Sequence, residues 1–247
     1  MHQPARPVIL FLPAHDEEEA VGGVVARVPE MVLGHPVLCI VVDDGSCDGT
    51  TRVAADAGAV VVSLGQNRGL GAAVRRGLEV AVELDPAAVA FCDADGEYAP
   101  EELERLVAPI LAGEADYVVG SRFAGGFRRM RPHRRAGNAV LTGALSLVAR
   151  RRISDGQSGY RALSPAAAAA AEVIHDFNYA QVLTLDLLAK GFRYAEVAIS
   201  YRFRTTGRSF VRLGPYLRNV VPAVWRQVQT SDRGQMAPSA GSLTITP

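Results

Sequence analysis

Val37-Leu38-Cys39-Ile40-Val41-Val42-Asp43-Asp44-Gly45-Ser46-Cys47-Asp48-Gly49-Thr50 carries the decisive pattern: an apolar run that stops at paired carboxylates and a glycine-bearing turn. The run is rich in β-branched side chains and reads as a strand over 37–42. Ser46, Asp48 and Gly49 suit a turn and a helix cap, so a helix is expected over 48–57. The same unit recurs on either side. Residues 8–12, 59–63, 89–92 and 117–120 are further short apolar runs, with helix-like segments at 17–28, 70–84 and 100–111 between them. Such alternation gives a mostly parallel α/β sheet, which binds ligands in the crevice beyond the carboxyl ends of its strands. The later part is less regular: an arginine-rich loop, helices near 137–149, after Pro165 and over 179–190, and a strand near 194–203. Residues 215–228 interleave Tyr216, Val220 and Val221 with Arg218 and Arg226, as an amphipathic helix would.

A chain of 247 residues can bury one substantial core. One catalytic domain is expected over 1–228, with acceptor-side elements from 122 onward and a disordered Ser/Thr/Gly/Pro-rich tail at 229–247. The net charge of zero conceals segregation, with acidic residues at 16–19, 43–48 and 93–104 and arginines at 122–135 and 150–152. A ligand with a cation-requiring part and an anionic part fits that division, whereas nucleic acid fits poorly with a neutral chain bearing acidic clusters. Cys39, Cys47 and Cys92 show no metal-ligand spacing and suit a reducing cytoplasm. Neither a signal peptide nor a spanning helix is evident, so a cytoplasmic protein is expected, with peripheral contact at the inner face of a membrane as the closest approach to lipid.

Chemistry concentrates where the strands end. In Ala90-Phe91-Cys92-Asp93-Ala94-Asp95-Gly96-Glu97 a strand runs into carboxylates one residue apart, whose repulsion a divalent cation relieves. Taken by itself, the stretch is equally an acidic turn before the helix that Pro100 opens. Asp43 and Asp44 offer acceptors for the N–H edge of a base or for ribose hydroxyls, or simply cap a turn. In Gln66-Asn67-Arg68-Gly69-Leu70-Gly71 glycines precede a helix, which serves close ligand approach or tight helix-to-sheet packing equally well.

Taken in order, these segments resemble the family 2 glycosyltransferases, most closely the branch containing dolichyl-phosphate mannose synthase and the bacterial polyprenyl-phosphate glycosyltransferases. The resemblance rests on 13–17, 42–46, 67–77, 93–95, 120–122, 155–161 and 196–201. It implies a Rossmann-like GT-A fold and metal-dependent, inverting transfer from a nucleoside-diphosphate sugar of the GDP-mannose or UDP-glucose type. By position it implies that Pro13, His15, Glu17, Asp43, Asp44, Gly69, Asp93 and Ala94 bind the donor. Asp93, Asp95 and Glu97 would hold Mg²⁺ or Mn²⁺, and Arg122 would meet a phosphate. Asp95, Arg122 and Asp155 form the expected catalytic set. His15, Asp16 and Glu97 depart from the family's usual tyrosine, asparagine and glutamine.

The acceptor is expected to be a polyprenyl phosphate, which is already anionic and needs no base. Arg128, Arg129 and Arg131 would bind it within a loop that also carries Arg134, Arg135, Phe123, Phe127 and Met130. A soluble or glycan hydroxyl acceptor would instead need a carboxylate base, for which Asp155 is the first choice and Asp186 the second. Two rival readings are a nucleotidyltransferase, disfavoured because 13–19 lacks the glycine and lysine of a triphosphate loop, and an inactive nucleotide-sugar-binding domain.

Overall fold

The central strand β1 (Val8–Ala14) is buried along its whole length, which is why it reads as an unbroken apolar run rather than an alternating one. It pairs in parallel with β3 (His35–Asp43) on one side and β5 (Ala88–Phe91) on the other. The computed structural model describes residues 5–124, 132–174 and 179–202. Arg128, Arg129, Arg131, Phe127, Met130, the 215–228 segment and the 229–247 tail lie outside them.

Across the sheet the order is β2-β3-β1-β5-β7-β6-β8, with β4 (Val60–Ser63) also pairing with β3. The expected parallel strands are all present, including β6 (Tyr117–Ser121) and β8 (Tyr194–Ala198). Two short antiparallel strands were not foreseen. The first, β2 (Met31–Val32), pairs with the start of β3. The second, β7 (Arg161–Leu163), lies between β5 and β6. Three residues are too few to show a period. Because β7 runs backwards, the residues leading into it arrive at the carboxyl ends of β5 and β6, where the ligand crevice of such a sheet lies.

Helices cover both faces. On one side α1 (Val21–Val25), α2 (Thr50–Asp56) and α4 (Leu103–Leu111) pack Val21, Val24, Ala54, Leu103, Leu106 and Val107 against Val8, Leu10, Leu12 and Val41. On the other, α3 (Leu70–Glu83), α5 (Pro132–Val148), α6 (Pro165–Ala170) and α7 (Ala180–Ala189) contribute Val74, Leu78, Leu145, Ala167 and Leu183 over Ile9, Phe11, Ile40 and Phe91. Each such buried aliphatic or aromatic side chain contributes about 1.5–3 kcal/mol relative to exposure. α1 is shorter than the expected 17–28 because Asp16 turns the chain at φ +52° and residues 17–20 form a turn. Pro100 and Glu101, in a 3₁₀ turn ahead of α4, start the chain into that helix.

The glycines of α3 divide their work between its start and its middle. Gly69 has φ +93° at the helix entry, whereas a Cβ at Gly77 would lie 2.4 Å from the ring of Phe11. Gly77 therefore sets how closely α3 sits on β1. Gly77→Ala is expected to lower stability by about 1–3 kcal/mol through overpacking, outweighing the roughly 1 kcal/mol gained in helix propensity. Urea denaturation checks it; an unchanged or raised midpoint would mean that α3 can move off the sheet at no cost.

Candidate active site

The first wall of the crevice is built by loops after β1 and β3 that brace one another. Asp16 N–H donates to Ser46 Oγ at 3.0 Å, and Asp16 Oδ1 accepts from Cys47 N–H at 2.9 Å. Glu17 N–H donates to Thr50 Oγ1 at 2.8 Å, while Glu18 Oε2 accepts from Gly49 N–H at 2.9 Å. Asp43 and Asp44, both buried, are engaged inward. Asp43 accepts from Ser46 N–H at 3.0 Å and Ser63 Oγ at 2.8 Å. Asp44 accepts from the backbone N–H groups of Arg68 at 2.7 Å and Gly69 at 2.9 Å. Asp44 thus shapes the 66–69 loop, and Asp43 the turn at Ser46. At Gly45, with φ +69°, a Cβ would fall 2.3 Å from the Gln66 backbone, so only glycine lets the loops close. His15 Nε2 lies 2.9 Å from Asn67 Nδ2, joining the β1 end to the same loop.

The opposite wall centres on a buried ion pair. Arg122, just after β6, donates from Nε to Asp155 Oδ2 at 2.7 Å and from Nη2 to Asp155 Oδ1 at 2.8 Å. Asp155 has no solvent exposure, and its Oδ2 also accepts from the Arg122 backbone N–H at 3.2 Å. Glu196 of β8 accepts from Ser154 N–H at 2.9 Å and from Tyr194 Oη at 2.7 Å, fixing the chain that delivers Asp155. Arg161, fully buried, donates to the carbonyls of Ser158 at 2.9 Å, Ala180 at 2.7 Å and Gly156 at 3.2 Å and to the Tyr117 hydroxyl, which holds the 156–158 turn.

Between the walls lies the acidic turn. Asp93 faces Gly159, where a Cβ would approach its Oδ2 to 2.6 Å. Burial, reinforced by the neighbouring charge of Glu97 and opposed by Arg122, raises the Asp93 carboxyl to about 6. Asp95 Oδ1 accepts from Glu97 N–H at 3.0 Å. Glu97 Oε2 accepts from the Tyr201 hydroxyl, and its carbonyl accepts from Arg202 N–H at 2.9 Å. The Tyr201 ring lies under the Arg122 guanidinium at 5.0 Å. Tyr98 meets it edge-on at 5.5 Å and accepts from Gly159 N–H through its hydroxyl at 2.7 Å.

Pro13, His15, Glu17, Asp43, Asp44 and Gly69 therefore belong to the β1 and β3 wall, and Asp93, Ala94, Asp95 and Glu97 to the acidic turn. Arg122 and Asp155 form the second wall. Asp186 is elsewhere: it pairs with Lys190 at 2.9 Å and accepts from Glu172 N–H at 3.0 Å. Among the described residues no three His, Cys, Asp or Glu side chains converge on one point. A cation would fit at Asp93 and Asp95, whose carboxylates stand one residue apart just beyond β5, and would complete its shell with ligand oxygens. Gly159, Arg161, Glu196 and Tyr201 fall within the 155–161 and 196–201 segments that carry the resemblance, but their positioning roles, and that of Tyr98, were not assigned from the sequence; Glu97 and Tyr201 are 104 residues apart.

Residues 9–168 match the family model "Glycosyl transferase family 2". Polyprenol monophosphomannose synthase of Mycolicibacterium smegmatis is 30% identical over 260 residues, spanning 97% of this chain and 92% of that one. The UDP-N-acetylglucosamine–dolichyl-phosphate N-acetylglucosaminyltransferase of Methanococcus voltae is 30% identical over 179 residues, 65% of this chain and 70% of its own. Among solved structures, glucosyl-3-phosphoglycerate synthase from Mycobacterium tuberculosis, in complex with Mn²⁺, UDP and glucosyl-3-phosphoglycerate, superposes with a TM-score of 0.68 at 26% identity. That match covers 91% of this chain and 80% of that one. The expected Rossmann-like GT-A architecture is the one present.

Two outcomes follow from the charge arrangement. Asp155→Asn leaves Arg122 buried without its counter-charge and is expected to lower stability by about 3–5 kcal/mol in chemical denaturation. Asp93 acts in the opposite sense. Its raised pKa means that, between the ordinary value near 4 and about 6, the native state keeps a proton the unfolded chain has lost, so stability falls as pH rises through that window. Asp93→Asn is expected to flatten this slope and to raise the thermal midpoint of chelator-treated protein at neutral pH; a lowered midpoint would contradict the repulsion.

Proposed function

The chain belongs to glycosyltransferase family 2, and from that premise we propose that it moves a sugar, with inversion, from a nucleoside-diphosphate sugar to a polyprenyl phosphate at the inner face of a membrane. The observation that carries the acceptor is the sealing of Asp155. A hydroxyl acceptor needs a carboxylate base. Asp155 has both oxygens on Arg122 and no exposure, and Asp186 is held by Lys190. A phosphate acceptor is already anionic and can attack without a base. The near full-length alignment to a polyprenol monophosphomannose synthase supports the same reading.

On the donor side, Asp93 and Asp95 would hold Mg²⁺ or Mn²⁺, and the Mn²⁺ and UDP of the solved relative support this. Such a cation, when bound, neutralises charge growing on the leaving diphosphate. Arg122 does related work with protein atoms alone. Its fork to Asp155 occupies Nε and one Nη, which fixes the plane of the guanidinium and leaves further N–H donors for phosphate oxygens. Asp155 is therefore a positioning residue. Asp44, bracing the 66–69 loop, and Asp43, bracing the turn at Ser46, are proposed to preform the nucleoside cleft, with His15 and Pro13 at its edge. Arg128, Arg129 and Arg131 are proposed to meet the acceptor phosphate. Family membership sets the nucleotidyltransferase reading aside.

The test is release of nucleoside diphosphate from a panel of UDP-, GDP- and dTDP-sugars with Mn²⁺ or Mg²⁺, with and without a polyprenyl phosphate. Release that requires both metal and lipid is expected, and Asp95→Ala should reduce it by at least about a hundredfold while leaving the circular-dichroism spectrum unchanged. Transfer to 3-phosphoglycerate in place of the lipid would move the acceptor to a small soluble phosphate ester.

A further inference from the structure

The inner face of α5 carries Asn138, Thr142, Leu145 and Ser146, spaced as one helical stripe. Leu145 enters the same core cluster as Ile153. Thr142 Oγ1 accepts from Gly156 N–H at 3.2 Å, and Ser146 Oγ accepts from Ile153 N–H at 3.1 Å. Asn138 is the exception on this stripe: it is only 8% exposed, and its Oδ1 is buried with no hydrogen-bond partner. Buried amides are ordinarily satisfied, and an apolar side chain would fill the place at less cost. The register of the helix locates this amide. From Ser146 back to Thr142 the contact advances from Ile153 to Gly156, and one further turn, about 5.4 Å, carries Asn138 on toward Gln157 and Gly159. Gly159 abuts the Asp93 carboxylate, and Asp155, beside Gly156, holds Arg122.

We infer that Asn138 binds a hydroxyl group of the sugar that the donor carries, and so helps to determine which sugar is accepted. A buried acceptor oxygen needs a hydrogen-bond donor from its ligand. A phosphate ionised at neutral pH offers none, whereas a sugar hydroxyl both donates and accepts, as the amide itself does. The division of labour follows charge. Arg122 and the cation proposed at Asp93 and Asp95 suit the diphosphate, and the neutral amide suits the uncharged part joined to it. A sugar on a diphosphate held by those groups lies against the 156–159 turn, where the register of α5 brings Asn138. This inference rests on the proposed sugar-nucleotide donor. A hydroxyl on the acceptor would offer the same chemistry, so the experiment separates the two sources.

Binding is measured by calorimetry on the full chain with Mn²⁺ and without acceptor, comparing UDP-, GDP- and dTDP-sugars with the corresponding free nucleoside diphosphates. Asn138→Leu, with Asn138→Ala as a second variant, should lower the preference for the sugar nucleotide over its diphosphate about tenfold, while diphosphate affinity stays within about twofold of wild type. Retained diphosphate binding also shows that each variant is folded. An unchanged preference, or equal weakening of both ligands, would overturn the inference, the second by marking Asn138 as part of the fold. A change confined to the KM of the acceptor would overturn it too, by moving the hydroxyl to that substrate. Failure of the wild-type chain to bind any sugar nucleotide would instead remove the donor reading, and this inference with it.

Discussion

The pairing of Arg122 with Asp155 is the constraint on which the rest of the site depends. A guanidinium and a carboxylate removed from water are each costly alone, and a bidentate geometry at 2.7 and 2.8 Å is what makes their joint burial tolerable. Arg122 directly follows β6, whereas Asp155 arrives from the loop before β7, so the pair joins two chain segments that the sheet alone would not register. Glu196 then holds Ser154 and Tyr201 packs its ring beneath the guanidinium, so that β8 and the chain beyond it are fitted to the same charge. Replacing such a pair with apolar residues is often neutral for folding, so stability alone does not account for it.

Asp93 completes the contrast. It shares the neighbourhood of Arg122 and Arg161, both of which favour its ionised form, yet burial and the charge of Glu97 prevail and its carboxyl is raised. The protein thus satisfies one buried carboxylate fully and leaves another under-compensated within the same crevice. Such an imbalance is a liability to the empty fold, relieved by a proton at low pH, and a cation carrying phosphate oxygens would relieve it at neutral pH. Gly159 belongs to this arrangement, because any side chain there would occupy the space taken by the Asp93 carboxylate.

Strand and helix positions up to β6 were legible because the apolar runs are long enough to declare themselves and end in turn-forming residues. β7 was not, since Arg161, Ala162 and Leu163 hold an arginine whose burial is explained only by carbonyls and tyrosines brought from 117, 156, 158 and 180. Several carboxylates of the acidic clusters also brace the loops, among them Asp43 and Asp44, which the resemblance assigns to the donor. Asp16, Glu18, Asp43, Asp44 and Asp48 accept from backbone N–H groups of neighbouring loops, a use that spacing cannot distinguish from ligand binding because both need an acceptor-only side chain at a strand end. The partners of Arg122 and Glu97 were hidden for a different reason: each lies more than thirty residues away in sequence.

The acidic and basic parts of the sequence take different places in the fold. The carboxylates collect at the ends of β1, β3 and β5, where they fix loops and face a cation. Arginines gather instead around the segment that leaves β6 and returns to β7. Its helix packs Leu145 into the core and uses the hydroxyls of Thr142 and Ser146 to anchor itself on Gly156 and Ile153. The polar anchoring has a geometric consequence. It ties the helix to the very turn that carries Asp155, so α5 is held in fixed relation to the Arg122 fork.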